Sequence, residues 1–269
     1  MTLLVGILST DGVVIATDRQ VTHGTMGQAT VAQSATKAEI INGQALYASA
    51  GPMAVGQQIC AAMKVMQGQF GGKICSASVQ LIQPAIRAIL DPAFDTAKKA
   101  GQIMGPQLAL VDVITTGLLA AKFQDGIRLL DISQQGSCEV LSVDKVPFVC
   151  HGSGKQNADP ILRFLWNIYW SKQAPTHREA ILAAYWTVKI AIELKSPMVG
   201  YAPDVFVLEK TGKDGKHVKA RKVDENELVS HDEFILAVEN AMRGVRDRLA
   251  DGAAPATPVP PTVAADPGG

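Results

Sequence analysis

Thr2-Leu3-Leu4-Val5-Gly6-Ile7-Leu8, followed by Ser9-Thr10-Asp11-Gly12 and then Val13-Val14-Ile15-Ala16-Thr17-Asp18, is the stretch that decides the architecture. Two runs of β-forming residues flank an Asp-Gly pair. That pattern predicts a hairpin with a type I′ turn, in which both central residues take positive φ. Lys37 to Ile41 and Gln44 to Ser49 repeat the device around Asn42-Gly43. Between the hairpins, Val21 to Thr36 is small and polar and reads as a loop with room for one short strand.

Gly51-Pro52 opens a helix to about Gln69, since proline suits a first helical position where its missing donor costs nothing. Ser78 to Leu90 reads as a second helix interrupted at Pro84. Ala97 to Gln107 fits no single pattern. Leu108 to Phe123, Ile127 to Ile132, Cys138 to Val143 and Val146 to Cys150 then read as strands. Asp159-Pro160 is expected to cap a helix, and Thr176 with Glu179 forms a capping box for another that ends before Pro197. Asp204 to Glu209 and His217 to Val223 can pair as a hairpin, and Ser230 with Glu233 reads as a capping box for a last helix.

Strands in blocks separated by paired helices predict an α+β fold rather than a doubly wound parallel sheet. The expected organisation is one domain over 1–250 and a disordered Pro/Ala-rich tail over 251–269.

Composition narrows the function. The 269 residues carry 25 basic and 25 acidic side chains, which removes the electrostatic footprint of a dedicated nucleic-acid or polybasic membrane binder. No apolar run reaches the ~18 residues a membrane span needs, and no basic region precedes the first apolar stretch. A cytoplasmic location is the expectation. Cys60, Cys75, Cys138 and Cys150 show no zinc spacing and read as core thiols. His23, His151, His177, His217 and His231 show none either, so neither metal nor cofactor is expected. Trp166, Tyr169, Trp170, Tyr185 and Trp186 read as core or subunit-interface packing. Gly152-Ser153-Gly154-Lys155 lacks the first glycine of a phosphate loop.

Thr2 carries the most chemistry. After removal of Met1 it combines a hydroxyl nucleophile with an α-amine of unperturbed pKa ~7.7–8.0, able to act as its own general base. Lys37 can supply a cation beside it, Asp18 can pair with Lys37, and Gly51 before a helix can offer an N–H to an oxyanion.

Thr2-Leu-Leu-Val-Gly-Ile, Asp11 to Arg19 with Asp18, Lys37, and Ser49-Ala50-Gly51 together resemble the proteasome β-subunit family of N-terminal-nucleophile hydrolases, as a bacterial proteasome-related homologue. His151-Gly152-Ser153-Gly154 extends the resemblance, which covers about Thr2 to Leu208. It implies a four-layer αββα sandwich of two antiparallel sheets. It implies Thr2 as nucleophile, Asp18, Lys37 and Ser153 beside it, and Gly51 at the oxyanion hole. Val21, Ala35, Ser49 and Met53 would line the pocket for the residue before the cleaved bond, with Glu39 near its base.

The implied activity is an autoprocessing threonine endopeptidase acting on peptide or protein substrates within a homo-oligomeric ring or helical assembly, with an ATPase or other regulator as a further partner. Two departures stand against the family pattern. Ser196 and Val199 occupy the places of an aspartate and a serine, and Gln20 replaces a common arginine. Asp204 is the acid near enough in sequence to substitute. The departures keep two rivals open: a non-catalytic structural subunit, and an N-terminal-nucleophile amidase or transpeptidase with a narrow substrate.

Overall fold

The opening hairpin forms as β1 (Leu3–Leu8) and β2 (Gly12–Thr17), paired antiparallel with Leu4 opposite Thr17 and Leu8 opposite Val13. A computed structural model describes residues 2–25, 28–70, 79, 81–104, 113–143, 146–170, 173–196, 198–212 and 217–250. The expected type I′ turn is replaced. Neither Asp11 nor Gly12 takes positive φ, and Gly12 lies within β2, where a methyl would overlap the Leu208 carbonyl of the neighbouring strand. The glycine serves strand packing rather than the turn.

The segment expected as a loop is a hairpin of its own, β3 (Gln20–Thr25) with β4 (Gln28–Ser34). Its polar alternation belongs to a two-stranded ribbon, not to the five-stranded sheets. β5 (Ala38–Ile41) and β6 (Ala45–Ala50) follow, joined through Asn42 and Gly43 at φ 48° and 71°, the left-handed pair that the sequence predicts.

Helix α1 (Met53–Phe70) begins one residue after Pro52. Helix α2 (Ile82–Met104) runs through the expected interruption at Pro84, which falls in its first turn where no intrahelical donor is lost, and it carries Pro92 inside. The strand expected from Leu108 starts at Thr116, as β7 (Thr116–Phe123), and the residues at 108–112 lie outside those described. β8 (Gly126–Ile132), a short β9 (Cys138–Val140) and β10 (Phe148–Gly152) complete the middle.

Helix α3 (Lys155–Tyr169) starts four residues before the expected Asp159 cap, so Pro160 is interior. Helix α4 (His177–Glu193) has the predicted capping box: Glu179 N–H donates to Thr176 Oγ1 at 3.4 Å and Thr176 N–H to Glu179 Oε2 at 2.7 Å. β11 (Asp204–Thr211) and β12 (His217–Lys222) pair as expected.

All strand pairs are antiparallel. One five-stranded sheet runs β10-β1-β2-β11-β12 and the other β5-β6-β7-β8-β9, so the fold is α+β. Leu4, Val13, Ile15, Phe206 and Leu208 of the first sheet share an apolar cluster with Leu46, Ala48, Leu118 and Leu129 of the second. On the far side of the second sheet, Ile59, Met63, Ile82, Ile86 and Leu90 from α1 and α2 cover Tyr47, Leu119 and Phe123. Helix α4 packs on β1, β2 and β11, and α3 on β10 and β1. Most of the aromatic group belongs to this packing, while Tyr169 is exposed. Trp166 lies 5.6 Å from Phe148 and 6.0 Å from Trp170, and Trp170, Tyr185 and Trp186 are buried.

The chain divides into two units, Met1–Val223 and Asp224–Gly269. The second is built on α5 (Glu225–Ala250), which begins five residues before the expected Ser230 cap. Asp224 is the cap instead, its Oδ1 accepting from Glu227 N–H at 2.8 Å, and Ser230 is helical, donating back to the Glu227 carbonyl. The expected tail at 251–269 lies outside the described residues.

Candidate active site

β1 is the second strand of its sheet, held between β10 and β2, and its pairing sets Thr2 at one end of that ladder. Thr2 is buried, and its carbonyl faces the turn after β10, where Gly154 N–H approaches it at 3.5 Å. Gly152 takes φ 91°, and a methyl there would overlap the Thr2 carbonyl, so this contact requires glycine twice over. Ser153 occupies the turn between these two glycines.

Asp18 follows the last residue of β2 and is wholly buried. Its carboxylate accepts four hydrogen bonds. Oδ1 takes Leu3 N–H at 2.8 Å and Lys37 Nζ at 2.6 Å, while Oδ2 takes Gln20 N–H at 3.0 Å and Gly200 N–H at 3.1 Å. Its own N–H returns to the Leu3 carbonyl at 3.3 Å. Three of the four donors are backbone amides, which fix the anion in place with little dependence on side-chain rotamers.

Lys37 precedes β5 and its side chain is only 5% exposed, so the Asp18 contact is a buried ion pair. Burial pulls the Lys37 ammonium below its ordinary pKa of 10.5, and the charge and hydrogen bond of Asp18 oppose that fall.

Gly51 sits between β6 and α1 at φ 137°, where a side chain would overlap the Ile114 carbonyl and the buried Thr115. Of the other expected lining residues, Ser49 lies on β6 opposite Gly117, its hydroxyl against Gly56 of α1, and Met53 opens α1. Val21 lies on β3 opposite Gln33, and Ala35 N–H donates to the Arg19 carbonyl at 2.8 Å. Glu39 is bound by Lys64 of α1 at 2.7 Å and is half-exposed, which balances the charge that would have favoured a basic side chain.

The expected substitute acid goes elsewhere. Asp204 Oδ1 accepts from Arg19 Nε and a terminal guanidinium nitrogen at 2.9 and 2.7 Å and pairs with Lys222 Nζ at 2.5 Å. Ser196 is buried, and its hydroxyl accepts from Asn157 Nδ2 at 2.7 Å. Neither Gln20 nor Gly200 entered the sequence reading as a partner of Asp18, because both act through backbone amides that any residue supplies. Asn157 carried no signal at all.

Thr2 stands at the start of an N-terminal strand whose Leu3 amide is held by the buried Asp18–Lys37 pair, on two antiparallel sheets. The solved structures similar to this chain carry the comparison further. Anbu (ancestral beta-subunit) from Yersinia bercovieri matches with a TM-score of 0.62 and 17% identity, covering 96% of this chain and 100% of that one. Anbu from Hyphomicrobium sp. strain MC1 matches at 0.60 and 16%, covering 90% and 97%, and its Gly-1 mutant at 0.61 and 16% over the same shares. No protein-family model matches, and no curated protein sequence matches significantly.

The resemblance to proteasome β-subunits is therefore corrected: the matching folds are those of Anbu proteins, proteasome-like but a distinct family. At these identities they establish the fold. Among the described residues no helix is long and apolar enough to cross a membrane.

Proposed function

We propose that this chain is a threonine-type N-terminal-nucleophile hydrolase, an endopeptidase acting on peptide or protein substrates. The observation that carries the reading is the single oxygen of Asp18 that receives both Leu3 N–H and Lys37 Nζ, tying the neighbour of Thr2 to a buried cation. Removal of Met1 exposes the Thr2 α-amine, and Lys37 disfavours its protonation by like-charge repulsion. The neutral amine takes the hydroxyl proton as Thr2 Oγ1 adds to the substrate carbonyl, and it then passes that proton to the leaving amine. Water adds to the resulting ester, its proton going to the amine and from there to the departing Thr2 Oγ1, which releases the acid and free Thr2.

The Gly51 amide is assigned to the developing oxyanion and Ser153 to the proton path. Val21, Ala35, Ser49 and Met53 are assigned to the side-chain pocket, with a modest uncharged residue as its guest. The two shared sheets with helices on their outer sides support a four-layer αββα arrangement. A homo-oligomeric ring or helical assembly in the cytoplasm would enclose such a nucleophile.

A second reading is a structural subunit without catalysis, favoured by the neutral Ser196–Asn157 pair where the family resemblance places an acid. Intact mass with and without a β-lactone or peptide epoxyketone separates the two. Loss of Met1 and one adduct, mapped to Thr2 and absent in Thr2→Ala, supports the hydrolase. Retained Met1 with no adduct sinks it.

A further inference from the structure

Around Thr2 the chain closes a ring of hydrogen bonds, of which the catalytic reading uses only the Asp18–Leu3 link. Gly154 N–H approaches the Thr2 carbonyl at 3.5 Å, and Asn157 N–H donates to the Gly154 carbonyl at 3.1 Å. Asn157 Nδ2 donates to Ser196 Oγ at 2.7 Å, and Val199 N–H to the Ser196 carbonyl at 3.1 Å. Gly200 N–H then reaches Asp18 Oδ2, and Asp18 Oδ1 holds Leu3 N–H, next to where the ring began. Every link is backbone or Asp18 except one, the Asn157–Ser196 bond, which joins α3 to the segment after α4.

Three described residues there are strained. Lys195, Met198 and Tyr201 take φ of 51°, 59° and 61°, a region costly for residues with a side chain. Such backbone persists only where its surroundings hold it. The holding contacts lie at its two ends. Asn157 and the Ala191 carbonyl bind Ser196, while Arg19 N–H donates to the Gly200 carbonyl at 3.2 Å. Close packing tightens the frame, since a methyl on Gly154 would sit 2.8 Å from Val199 Cγ2 and 3.0 Å from Leu3 Cβ.

We infer that Asn157 and Ser196 are positioning residues for Thr2: their neutral hydrogen bond braces the 195–201 segment, whose Gly200 amide sets Asp18 and through it Leu3 and Lys37. The inference rests on the proposed hydrolase for its catalytic consequence, though not for its geometry. It also gives the Ser196 departure a reason, because the hydroxyl accepts the Asn157 amide.

The test is the rate of Thr2 acylation by a β-lactone, followed by intact mass across probe concentrations. Asn157→Leu and Ser196→Ala are expected to slow acylation at saturating probe by about three- to tenfold, the effect of one lost hydrogen bond, with half-saturation unchanged. Asn157→Asp, to which the Ser196 hydroxyl can donate, and Ser196→Thr should return the rate to within about twofold. Acylation at the wild-type rate in the first pair overturns the inference. A smaller labelled fraction at an unchanged rate also overturns it, since that marks ordinary loss of folded protein.

Amide hydrogen exchange at Leu3 and Gly200 reads the brace without chemistry and should quicken in Asn157→Leu. If wild type takes no label but exchange quickens, the hydrolase reading falls and the brace stands; unchanged exchange removes the brace.

Discussion

Two aspartates among the described residues are wholly buried beside lysines, and they are built differently. Asp18 spends both oxygens, and three of its four donors are backbone amides held by β1, the residue after Arg19 and the 195–201 segment. Asp204 gives one oxygen to Arg19 and Lys222, which are 26% and 45% exposed, while its Oδ2 is buried without a hydrogen-bond partner among the described residues. Opposite it in the ladder Thr17 Oγ1 is buried and unpartnered as well. Backbone donors cannot rotate away, so the first site holds its anion in one place. Flexible cations at the surface hold the second, which staples β2, β11 and β12 and tolerates an orphaned atom. The contrast separates a site that positions from one that fastens.

The largest expected effect comes from breaking the first. Asp18→Asn leaves Lys37 charged and nearly without solvent, a loss of about 3–5 kcal/mol in urea unfolding, and Thr2 acylation should fall by more than about a hundredfold. Next comes Gly152→Ala, which forces a methyl into the Thr2 carbonyl from a positive-φ residue. It should cost about 2–4 kcal/mol and slow acylation at least about tenfold, because the strand cannot yield without moving Thr2.

Asp204→Asn should cost only about 1–2 kcal/mol, since Arg19 and Lys222 regain water and the new amide offers Thr17 Oγ1 a donor. Acylation within about twofold of wild type is expected there. Should Asp204→Asn slow acylation as much as Asp18→Asn, the distinction between positioning and fastening fails.

The pH dependence sharpens the comparison with a smaller effect. Lys37 has its folded pKa below 10.5, so between that lowered value and 10.5 the native state binds fewer protons than the unfolded chain. Its contribution to stability therefore rises with pH across that window and is absent below it. Its charge is lost over the same range, so acylation should decline on an alkaline limb that begins below 10.5. A limb at or above 10.5 would mean that burial does not control this lysine.

At the small end, burial pushes the Cys60 and Cys138 thiols up to about 11, with Glu39 and Asp131 adding to it respectively. Native protein at pH 8 should alkylate at these positions at least about tenfold more slowly than after denaturation, as judged by peptide mapping.

Sequence reading succeeded where a signal was local. Asn42-Gly43 specified its turn, Thr176 and Glu179 their capping box, and Gly51-Pro52 the start of α1. It failed where a local signal had two uses. Gly12 was read for its φ when it serves the approach of β11. Asp159-Pro160 and Ser230-Glu233 look like caps but lie inside helices that start earlier. The polar 21–36 stretch hides a ribbon because its alternation is not hydrophobic.

By itself the sequence determined an α+β chain of antiparallel hairpins, and it placed Thr2, Asp18 and Lys37 at spacings that suggest joint work. Only the tertiary structure decided that Asp18 is closed by Gly200, that Asp204 turns to Arg19 and Lys222, and that Asn157 reaches Ser196. The Asp18–Gly200, Asp204–Arg19 and Asn157–Ser196 contacts span 182, 185 and 39 residues. Turn chemistry and periodicity act over a few residues. A backbone N–H is the same group whatever side chain it carries, so no residue identity announces a donor that arrives from the far end of the chain.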